Sequence, residues 1–394
     1  MNIGIVTAWY ERGAAYVSKM YKDLLEQEGH VVYIFARGGF VSKNQLSERW
    51  KEKEITRSEK YTDTTIEKRK LYSWIKKKNL NAILFNEQND FRVLIWLKND
   101  FPEIKLGAYV DYYTEATLPW FDLYDFLICN TKRHIQAMKD HPQKYYLKWG
   151  TDIELYKPSE EKHREVRFFH SVGMSPRKGT DILVNAFING KLYEKSKLIL
   201  HTQIPIEKVT AFKKDDLQKY GIEVIDKTVT APGLYYLGDV YVYPTRLDGL
   251  GLTMYEALAS GLPMITSDFP PMNEVGTEDF VKRIKIADYY CRSDAYYFPM
   301  VICDEKDLTN AMNWYVQHPD ELLKQKKMAR EYAVENCDIS KKGAFVSKIF
   351  IDSTCRPINK KLAKEVLKTY KRNWNVFQTL SKLKVVYNIR HKSK

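Results

Sequence analysis

The clearest alternation of apolar and polar positions lies in residues 240–268, which read VYVYPTRLDGLGLTMYEALASGLPMITSD. The apolar run Val240–Tyr243 stops at Pro244, which is typical of a buried strand followed by a breaker. A short helix with one apolar side is predicted next, and Gly261 ends it. A second apolar run, Leu262–Thr266, follows the helix. The pattern therefore predicts a β-α-β unit in which the two strands are parallel.

The same alternation extends over both halves of the chain. In the first half, strands are predicted at Asn2–Ala8, Val31–Ala36, Ala82–Phe85, Leu106–Val110 and Phe126–Cys129, with a helix at Tyr16–Gln27. In the second half, strands are predicted at Val166–Val172, Leu198–Leu200 and Ile222–Ile225, with a helix at Asp181–Phe187. Strands that alternate with helices predict an α/β fold with two doubly wound domains.

The length of 394 residues also favours two domains, because it exceeds one typical hydrophobic core. The first domain is predicted at residues 1–155 and the second at 165–340. Between them, residues 156–164 carry several charges and a proline, as a linker would. Residues 341–394 are expected to form C-terminal helices and a basic tail. Residues 42–70 are highly charged, and we interpret them as surface structure inserted in the first domain.

Two acidic residues mark a candidate ligand site in the second half. Open parallel sheets bind ligands at the carboxyl ends of their strands, and Asp248 lies in the loop after such a strand. Glu256 follows eight residues later, early in the predicted helix. Both side chains are therefore expected to face one crevice, although an ordinary β-α-β unit with a solvated acidic loop would show the same features.

The string from Asp248 to Pro263 resembles the acidic-x7-Glu signature of family 4 of the retaining glycosyltransferases, which have the GT-B fold. The resemblance implies two Rossmann-like domains facing a central cleft, with residues from Met1 to about Phe350 involved. It implies that Glu256 binds the ribose of a nucleotide-sugar donor. It also implies that Asp248 holds the sugar, together with the backbone amides of Gly249, Leu250 and Gly251. The family usually has Glu where this chain has Asp248.

Two further residues of the second half, Lys178 and Glu274, match the same family. Lys178 occupies the Lys-Gly position that binds the donor diphosphate, and Arg177 precedes it. The alternative for this pair is a solvated turn. Family members usually carry an Arg directly after the glycine of the preceding strand, where this chain has Met174, and Arg177 or Arg246 would take its place. Glu274 matches a further acidic, donor-binding position, for which helix capping is the alternative.

In the first half, Gly13 and Asp111 are the candidates. The strand-loop-helix opening resembles the first domain of GT-B enzymes, and Gly13 is the position at which the backbone would approach a substrate closely. A simple turn explains Gly13 equally well. Asp111 ends a predicted strand where many family members have a His that faces the acceptor. It would bond an acceptor hydroxyl or the transferred sugar, or it caps the strand end. Residues 86–88 are polar enough to line a sugar site.

The cysteines argue against a disulfide-rich protein and against a zinc protein. The five cysteines are odd in number and lack CxxC spacing, so a disulfide framework and a zinc site are not expected. The resemblance likewise implies catalysis without a metal or other cofactor. The start of the chain does not resemble a signal peptide, and no stretch approaches the roughly 20 apolar residues that span a bilayer. A cytoplasmic protein is expected.

The net charge of +13 is concentrated at the end of the chain. Residues 356–394 contain twelve Lys or Arg and one acid, Glu365, which gives a net charge of +11. Apolar residues in Lys361–Lys384 recur at helical spacing, so a basic amphipathic helix is predicted. Such a helix lies on an anionic membrane surface, or it packs back over the first domain. Nucleic-acid binding is not expected, because no recognition motif accompanies the charge.

These features together predict a glycosyltransferase of polysaccharide biosynthesis. It would move a hexose-type sugar, with retention of configuration, to a glycan or lipid-linked glycan acceptor, as a peripheral protein at the cytoplasmic membrane face. Another GT-B enzyme, such as a sugar-phosphate synthase or phosphorylase, is one alternative. An inactive GT-B chain that serves as a scaffold in a glycan-assembly complex is another. Release of nucleoside diphosphate distinguishes an enzyme from a scaffold.

Deletion of Lys382–Lys394 is expected to weaken binding to anionic vesicles and to leave donor binding unchanged. The segment carries five basic residues and no acid, and each contributes about 1 kcal/mol near an anionic surface. Added salt should weaken the attraction of the full chain, because exposed charges are screened beyond about 8 Å. Sedimentation with vesicles of varied anionic content measures the effect. If both proteins pellet equally, the tail does not contribute to vesicle binding and is only a solvated terminus.

Overall fold

The computed structural model of the protein describes residues 1–38, 48–51, 54–58, 64–372, 380 and 383. These residues form two compact units. The first contains residues 1–130, 134–147 and the chain from 340 onward, and the second contains residues 131–133 and 148–339. Part of the predicted insertion at residues 42–70 and most of the tail after 372 lie outside the described residues.

The first unit contains a parallel sheet of seven strands. They are β1 (Asn2–Thr7), β2 (Val31–Ala36), β3 (Thr56–Arg57), β4 (Ala82–Asn86), β5 (Lys105–Tyr109), β6 (Phe126–Cys129) and β7 (Lys144–Tyr146), in the order β3-β2-β1-β4-β5-β6-β7. The connecting helices are α1 (Gly13–Gln27), α2 (Lys68–Lys78) and α3 (Arg92–Asp100). A further helix, α4 (Lys132–Ala137), follows β6, and its first two residues, Lys132 and Arg133, belong to the second unit. The central strands are buried on both faces, which explains their continuous apolar runs.

The second unit repeats this topology with six parallel strands. They are β8 (Val166–Gly173), β9 (Ser196–Thr202), β10 (Ile222–Asp226), β11 (Val240–Tyr243), β12 (Met264–Ser267) and β13 (Val281–Ile284), in the order β10-β9-β8-β11-β12-β13. The helices are α5 (Thr180–Asn189), α6 (Lys214–Gln218), α7 (Leu252–Ala259), α8 (Glu305–Gln317) and α9 (Pro319–Asn336). Two doubly wound domains are therefore confirmed, and so is the predicted β-α-β unit, because β11 and β12 pair in parallel.

A two-stranded antiparallel hairpin, β14 (Ile286–Tyr290) and β15 (Met300–Cys303), is added to the second unit. We call residues 286–303 the aromatic hairpin, because five of them are Tyr or Phe. The sequence analysis does not predict this hairpin, although Met300–Cys303 is an apolar run like those of the sheet strands.

The C-terminal helices α10 (Gly343–Asp352) and α11 (Lys360–Arg372) belong to the first unit. Phe350 packs edge-on against Phe126, with ring centres 5.1 Å apart. Leu362, Ala363 and Val366 of α11 are buried, and the Tyr370 hydroxyl donates to the carbonyl oxygen of Asn89 at 2.7 Å. The apolar face of this part of the basic helix is therefore used in internal packing. Trp374 and Phe377 of the predicted stripe lie outside the described residues.

The chain passes into the second unit at Lys148, ahead of the linker expected at residues 156–164. The physical reason is a backbone ladder: the amide of Thr151 donates to Cys337 (2.7 Å), and the amide of Ile339 donates to Thr151 (3.1 Å). This ladder joins the entry and the exit of the second unit. The chain then returns to the first unit at Ser340.

Strand order reverses between β8 and β11, so the loops that follow these two strands leave the sheet side by side. His170 on β8 fixes the helix that follows its loop. Its Nδ1 donates to the carbonyl of Val242 at 2.7 Å, and its Nε2 accepts from the hydroxyl of Thr180, the first residue of α5, at 2.9 Å. The imidazole is fully buried, and burial lowers its pKa to about 4.

The neutral form of His170 predicts a loss of stability in acid. An unfolded histidine has a pKa of about 6.5, so the unfolded chain binds more protons as the pH falls from 6.5 towards 4. Between pH 7 and 4.5 this linkage should remove roughly 2–3 kcal/mol from the free energy of unfolding. Urea unfolding of the wild type and of His170→Asn at both pH values measures it. The variant should show the smaller pH dependence, and equal dependence in both would contradict the assignment.

Candidate functional site

The loops after β8 and β11 are joined through their backbones. The amide of Arg246 donates to the carbonyl of Arg177 at 2.8 Å. Gly179 has φ +74°, and a Cβ at this position would lie 2.1 Å from the carbonyl oxygen of Pro244. Only glycine permits this approach, because it combines a left-handed conformation with the absence of a side chain. The sequence Lys-Gly thus places Lys178 against the loop that carries Asp248.

Lys178, Asp248 and Tyr243 form a closed network at the ends of these strands. The Nζ of Lys178 lies 2.5 Å from Oδ2 of Asp248. The Tyr243 hydroxyl accepts from Lys178 and donates to the same carboxylate oxygen. Both charged side chains are largely buried. Burial of a charge is costly, and each side chain offsets that cost by supplying the opposite charge to the other.

The network keeps Asp248 ionised. Burial opposes its ionisation, but the charges of Lys178 and Arg177 outweigh burial and hold the pKa of this carboxyl below its ordinary value. Burial lowers the pKa of Lys178, and Asp248 opposes that shift. The site therefore contains a buried carboxylate whose partner is a lysine side chain.

Glu256 lies on α7, and tyrosine hydroxyls rather than cations surround it. The Tyr235 hydroxyl donates to its Oε2 at 2.5 Å, and Tyr156 provides a second hydrogen bond. Burial raises the pKa of Glu256, and these hydroxyls partly counteract the shift. The carboxyl group is thus held in position by neutral donors.

In the acidic loop, which carries Asp248, two glycines lie between Asp248 and Glu256 in the sequence. The Gly249 amide donates to Oδ1 of Asp248 at 2.8 Å, Leu250 is buried, and Gly251 at φ +74° is the N-cap of α7. This geometry fixes the Asp248 side chain against its own loop.

Arg246, Glu274 and Arg133 surround the network. Arg246 is paired with Asp181 at 2.6 Å. The Glu274 carboxylate accepts from the backbone amides of Lys132 (2.5 Å) and Arg133 (3.0 Å), so helix capping describes its contacts. The Arg133 guanidinium donates to the carbonyl oxygen of Asp248. Sequence reasoning missed Arg133, Tyr235 and Tyr243. The one available signal was a tyrosine ending a buried strand next to the acidic loop.

In the first unit, Asp111 lies at a separate cavity of about 250 Å³. The lining residues are Ala8, Tyr10, Arg12, Arg37, Gly38, Thr64, Glu87, Asn89, Asp111 and Tyr112. Glu87 has φ +53° and pairs with Arg12 at 3.1 Å. Such strain in a residue other than glycine is common at functional sites. Asn86 and Gln88, in contrast, bond internal groups: Asn86 donates to Ala14 and Ser18, and Gln88 to Thr64 and Asp90.

Gly13 does not lie in a loop as expected. It is the first residue of α1, which begins three residues earlier than predicted because the Arg12 carbonyl accepts from the amides of Ala15 and Tyr16. Gly13 is absent from the residues that line the cavity, whereas its neighbour Arg12 is present.

Among the residues that the structure describes, no group of three or more His, Cys, Asp or Glu side chains is placed to hold a metal ion. Among the helices of the same residues, none combines the length and the apolar character needed to cross a bilayer.

Residues 165–288 match the family model described as Glycosyl transferases group 1. The chain is 22% identical over 184 residues to an uncharacterized glycosyltransferase of Sulfolobus islandicus rod-shaped virus 1, a match that covers 43% of this chain and about half (54%) of that relative. The sucrose-phosphate synthase of Thermosynechococcus elongatus is similar in structure (TM-score 0.67, 17% identity, 90% of this chain and 100% of that one). Anabaena HepE, solved in complex with UDP and glucose, is also similar in structure (TM-score 0.64, 14% identity, 88% of this chain and 98% of that one).

The two Rossmann-like domains of this chain are thus those of the GT-B fold. The matched residues include the Lys178–Asp248 pair and Glu256.

Proposed function

We propose that the protein is a glycosyltransferase that moves a hexose-type sugar from a nucleotide-sugar donor to a glycan or lipid-linked glycan acceptor, with retention of anomeric configuration. The observation that carries this proposal is the buried Lys178–Asp248 pair at the ends of β8 and β11. It lies in the region that matches the glycosyltransferase family. Glu256 lies in the same loop-helix unit.

Lys178 is suited to stabilise the leaving diphosphate. When the bond between the anomeric carbon and the diphosphate oxygen breaks, its electron pair remains on that oxygen. A fixed ammonium group nearby stabilises the new charge more strongly than it stabilises the intact donor. The backbone amides at the start of α5, directly after Lys178, add favourable dipoles for an anion.

Asp248 and Glu256 are assigned to the uncharged parts of the donor. Asp248 is held as an anion and would accept hydrogen bonds from hydroxyls of the transferred sugar once Lys178 turns to the diphosphate. Glu256 would accept from the ribose hydroxyls in place of Tyr235 or beside it. A uridine diphosphate sugar is the first donor to test, because the similar HepE structure contains UDP and glucose. The proposed chemistry requires no metal ion.

The acceptor is assigned to the cavity of the first unit. Its charged lining residues, Arg12 and Arg37 with Glu87 and Asp111, balance in charge and suit a ligand rich in hydroxyls. Asp111 would orient the attacking hydroxyl. In the retaining reaction that we propose, the departing phosphate oxygen takes the proton of that hydroxyl as the new glycosidic bond forms. The protein positions both substrates and stabilises charge.

Membrane contact is part of the proposal. The outward face of α11 exposes Lys360, Lys361, Lys364, Lys368, Lys371 and Arg372. A cationic face of this kind attracts anionic lipids. It would keep the enzyme near a lipid-linked acceptor.

Glu256→Ala is expected to weaken nucleotide-sugar binding and to preserve the fold. Loss of a hydrogen bond to a charged group costs on the order of 1.5–3 kcal/mol. Calorimetric titration with UDP-glucose and related donors measures the effect. Glu223→Ala, at an exposed position on β10, is the matched control and should bind as the wild type does. Unchanged affinity in a folded Glu256→Ala protein would remove the ribose assignment.

Lys178→Ala is expected to lower turnover more than donor affinity, because phosphate charge grows as the bond breaks. Loss of one such electrostatic contact commonly reduces the rate by about 10²–10³-fold. Release of nucleoside diphosphate at saturating donor is the measurement. Lys197→Ala removes a lysine that is paired with Glu165 at the start of β9, and this control should keep full activity. Near-wild-type turnover of Lys178→Ala would exclude Lys178 from the site.

A further inference from the structure

Tyr235 holds the side chain of Glu256 with a hydroxyl that is itself fixed. The hydroxyl donates to Oε2 of Glu256 at 2.5 Å, whereas the carbonyl oxygen of Thr253 lies farther away, at 3.4 Å. Three aromatic rings pack edge-on against the Tyr235 ring, with ring centres 5.5, 5.8 and 6.0 Å away: Phe169, Tyr241 and Tyr156. The side chain is buried among them, so its hydroxyl has one available direction.

A second tyrosine supports the same carboxylate from another part of the chain. Tyr156 lies in the segment expected to be a linker, but it is buried and hydrogen-bonds to Glu256. The guanidinium of Arg330 lies 2.9 Å from the carbonyl oxygen of Tyr156 and 2.8 Å from that of Ala259, the last residue of α7. Because α7 carries Glu256, one side chain anchors both the donor and the helix of the acceptor.

The two tyrosines leave part of the Glu256 carboxylate available to a ligand. A carboxylate has two oxygens and about four positions that accept hydrogen bonds. Tyr235 and Tyr156 occupy two of them, and both tyrosines are buried, whereas Glu256 is half-buried. A ligand that fills the remaining positions must donate two hydrogen bonds from neighbouring atoms. The vicinal hydroxyls of a ribose do so.

The tyrosine hydroxyls also favour the charged form of Glu256. Burial raises the pKa of this carboxyl group, and the hydrogen bonds from Tyr235 and Tyr156 oppose the shift. Burial likewise raises the pKa of Tyr235, so its hydroxyl keeps its proton and remains a donor. A charged acceptor forms stronger hydrogen bonds than a neutral one. A ligand that lacks one of the two hydroxyls therefore loses a strong interaction at this position.

We propose that Tyr235 is a positioning residue of the donor site. Its hydroxyl fixes one oxygen of Glu256, so that the carboxylate accepts hydrogen bonds from both ribose hydroxyls of the donor. The site thereby selects sugars carried on a ribonucleoside diphosphate over sugars carried on a 2′-deoxyribonucleoside diphosphate. The role of Glu256 is that of the proposed function, on which this assignment rests, and the dependence of the selectivity on Tyr235 is additional to it.

Paired calorimetric titrations of the full-length protein test the assignment. The ligands are UDP, GDP and ADP, each compared with its 2′-deoxy counterpart, so that phosphate charge and base are the same within a pair. For at least one base, the wild type should bind the ribonucleotide roughly tenfold or more tightly than the deoxyribonucleotide. Tyr235→Phe removes the hydroxyl and keeps the ring, and it should reduce this preference to about threefold or less. A general structural defect would instead weaken both ligands equally.

Two further proteins show whether the effect passes through Glu256. Tyr236→Phe makes the same change at the exposed neighbouring residue, and this matched control should keep the wild-type preference. In a Glu256→Ala background, Tyr235→Phe should cause no further loss of preference, because the residue through which it acts is absent.

The possible failures separate this assignment from the proposed function. The assignment of Tyr235 is wrong, and the proposed function is unaffected, if the wild type binds both members of each pair equally, if Tyr235→Phe keeps the full preference, or if it weakens both members equally. If none of the six nucleotides binds the wild type, both fail. If the preference responds as expected but no nucleotide-sugar releases its nucleoside diphosphate, the proposed function fails and the assignment of Tyr235 stands.

Discussion

The second unit depends on one buried ion pair, Lys178 with Asp248. Neither charge is stable alone in a site shielded from water, and removal of one partner of such a pair commonly costs about 3–5 kcal/mol. The pair is possible because Gly179 lets the loop after β8 touch the loop after β11. Tyr243 completes it by bonding both charges. The local backbone thus serves to bring opposite charges together.

Under the proposed function, the same interaction would couple binding of the two parts of the donor. A diphosphate would offer Lys178 more negative charge than Asp248 does, so it would replace the carboxylate as the partner of the ammonium group. Asp248 would then need new donors, which sugar hydroxyls would supply. Each part of the nucleotide-sugar would thus satisfy a group that the other part displaces.

A second set of contacts holds the residues around the Lys178–Asp248 pair. Tyrosine hydroxyls hold Glu256, and Arg133 ties the acidic loop to the aromatic hairpin. These contacts involve residues far apart in sequence. They also hold the loop that carries Asp248 to the aromatic hairpin within one unit. Rigid supports of this kind position substrates without movement at the moment of reaction.

The sequence by itself determined the α/β class, its repetition in the two halves and the candidate residues Lys178, Asp248 and Glu256. The spacing of apolar residues and the positions of glycines are local features of the sequence, so they predict the elements without knowledge of the fold. Parallel strands end at one edge of a sheet, so the loops that follow them are expected to lie together there. It did not determine that Gly13 begins a helix, that Glu274 caps backbone amides, or that α11 packs its apolar face internally. Tertiary structure decided these points, because a hydrogen bond or a buried face depends on partners that the chain brings together only when it folds.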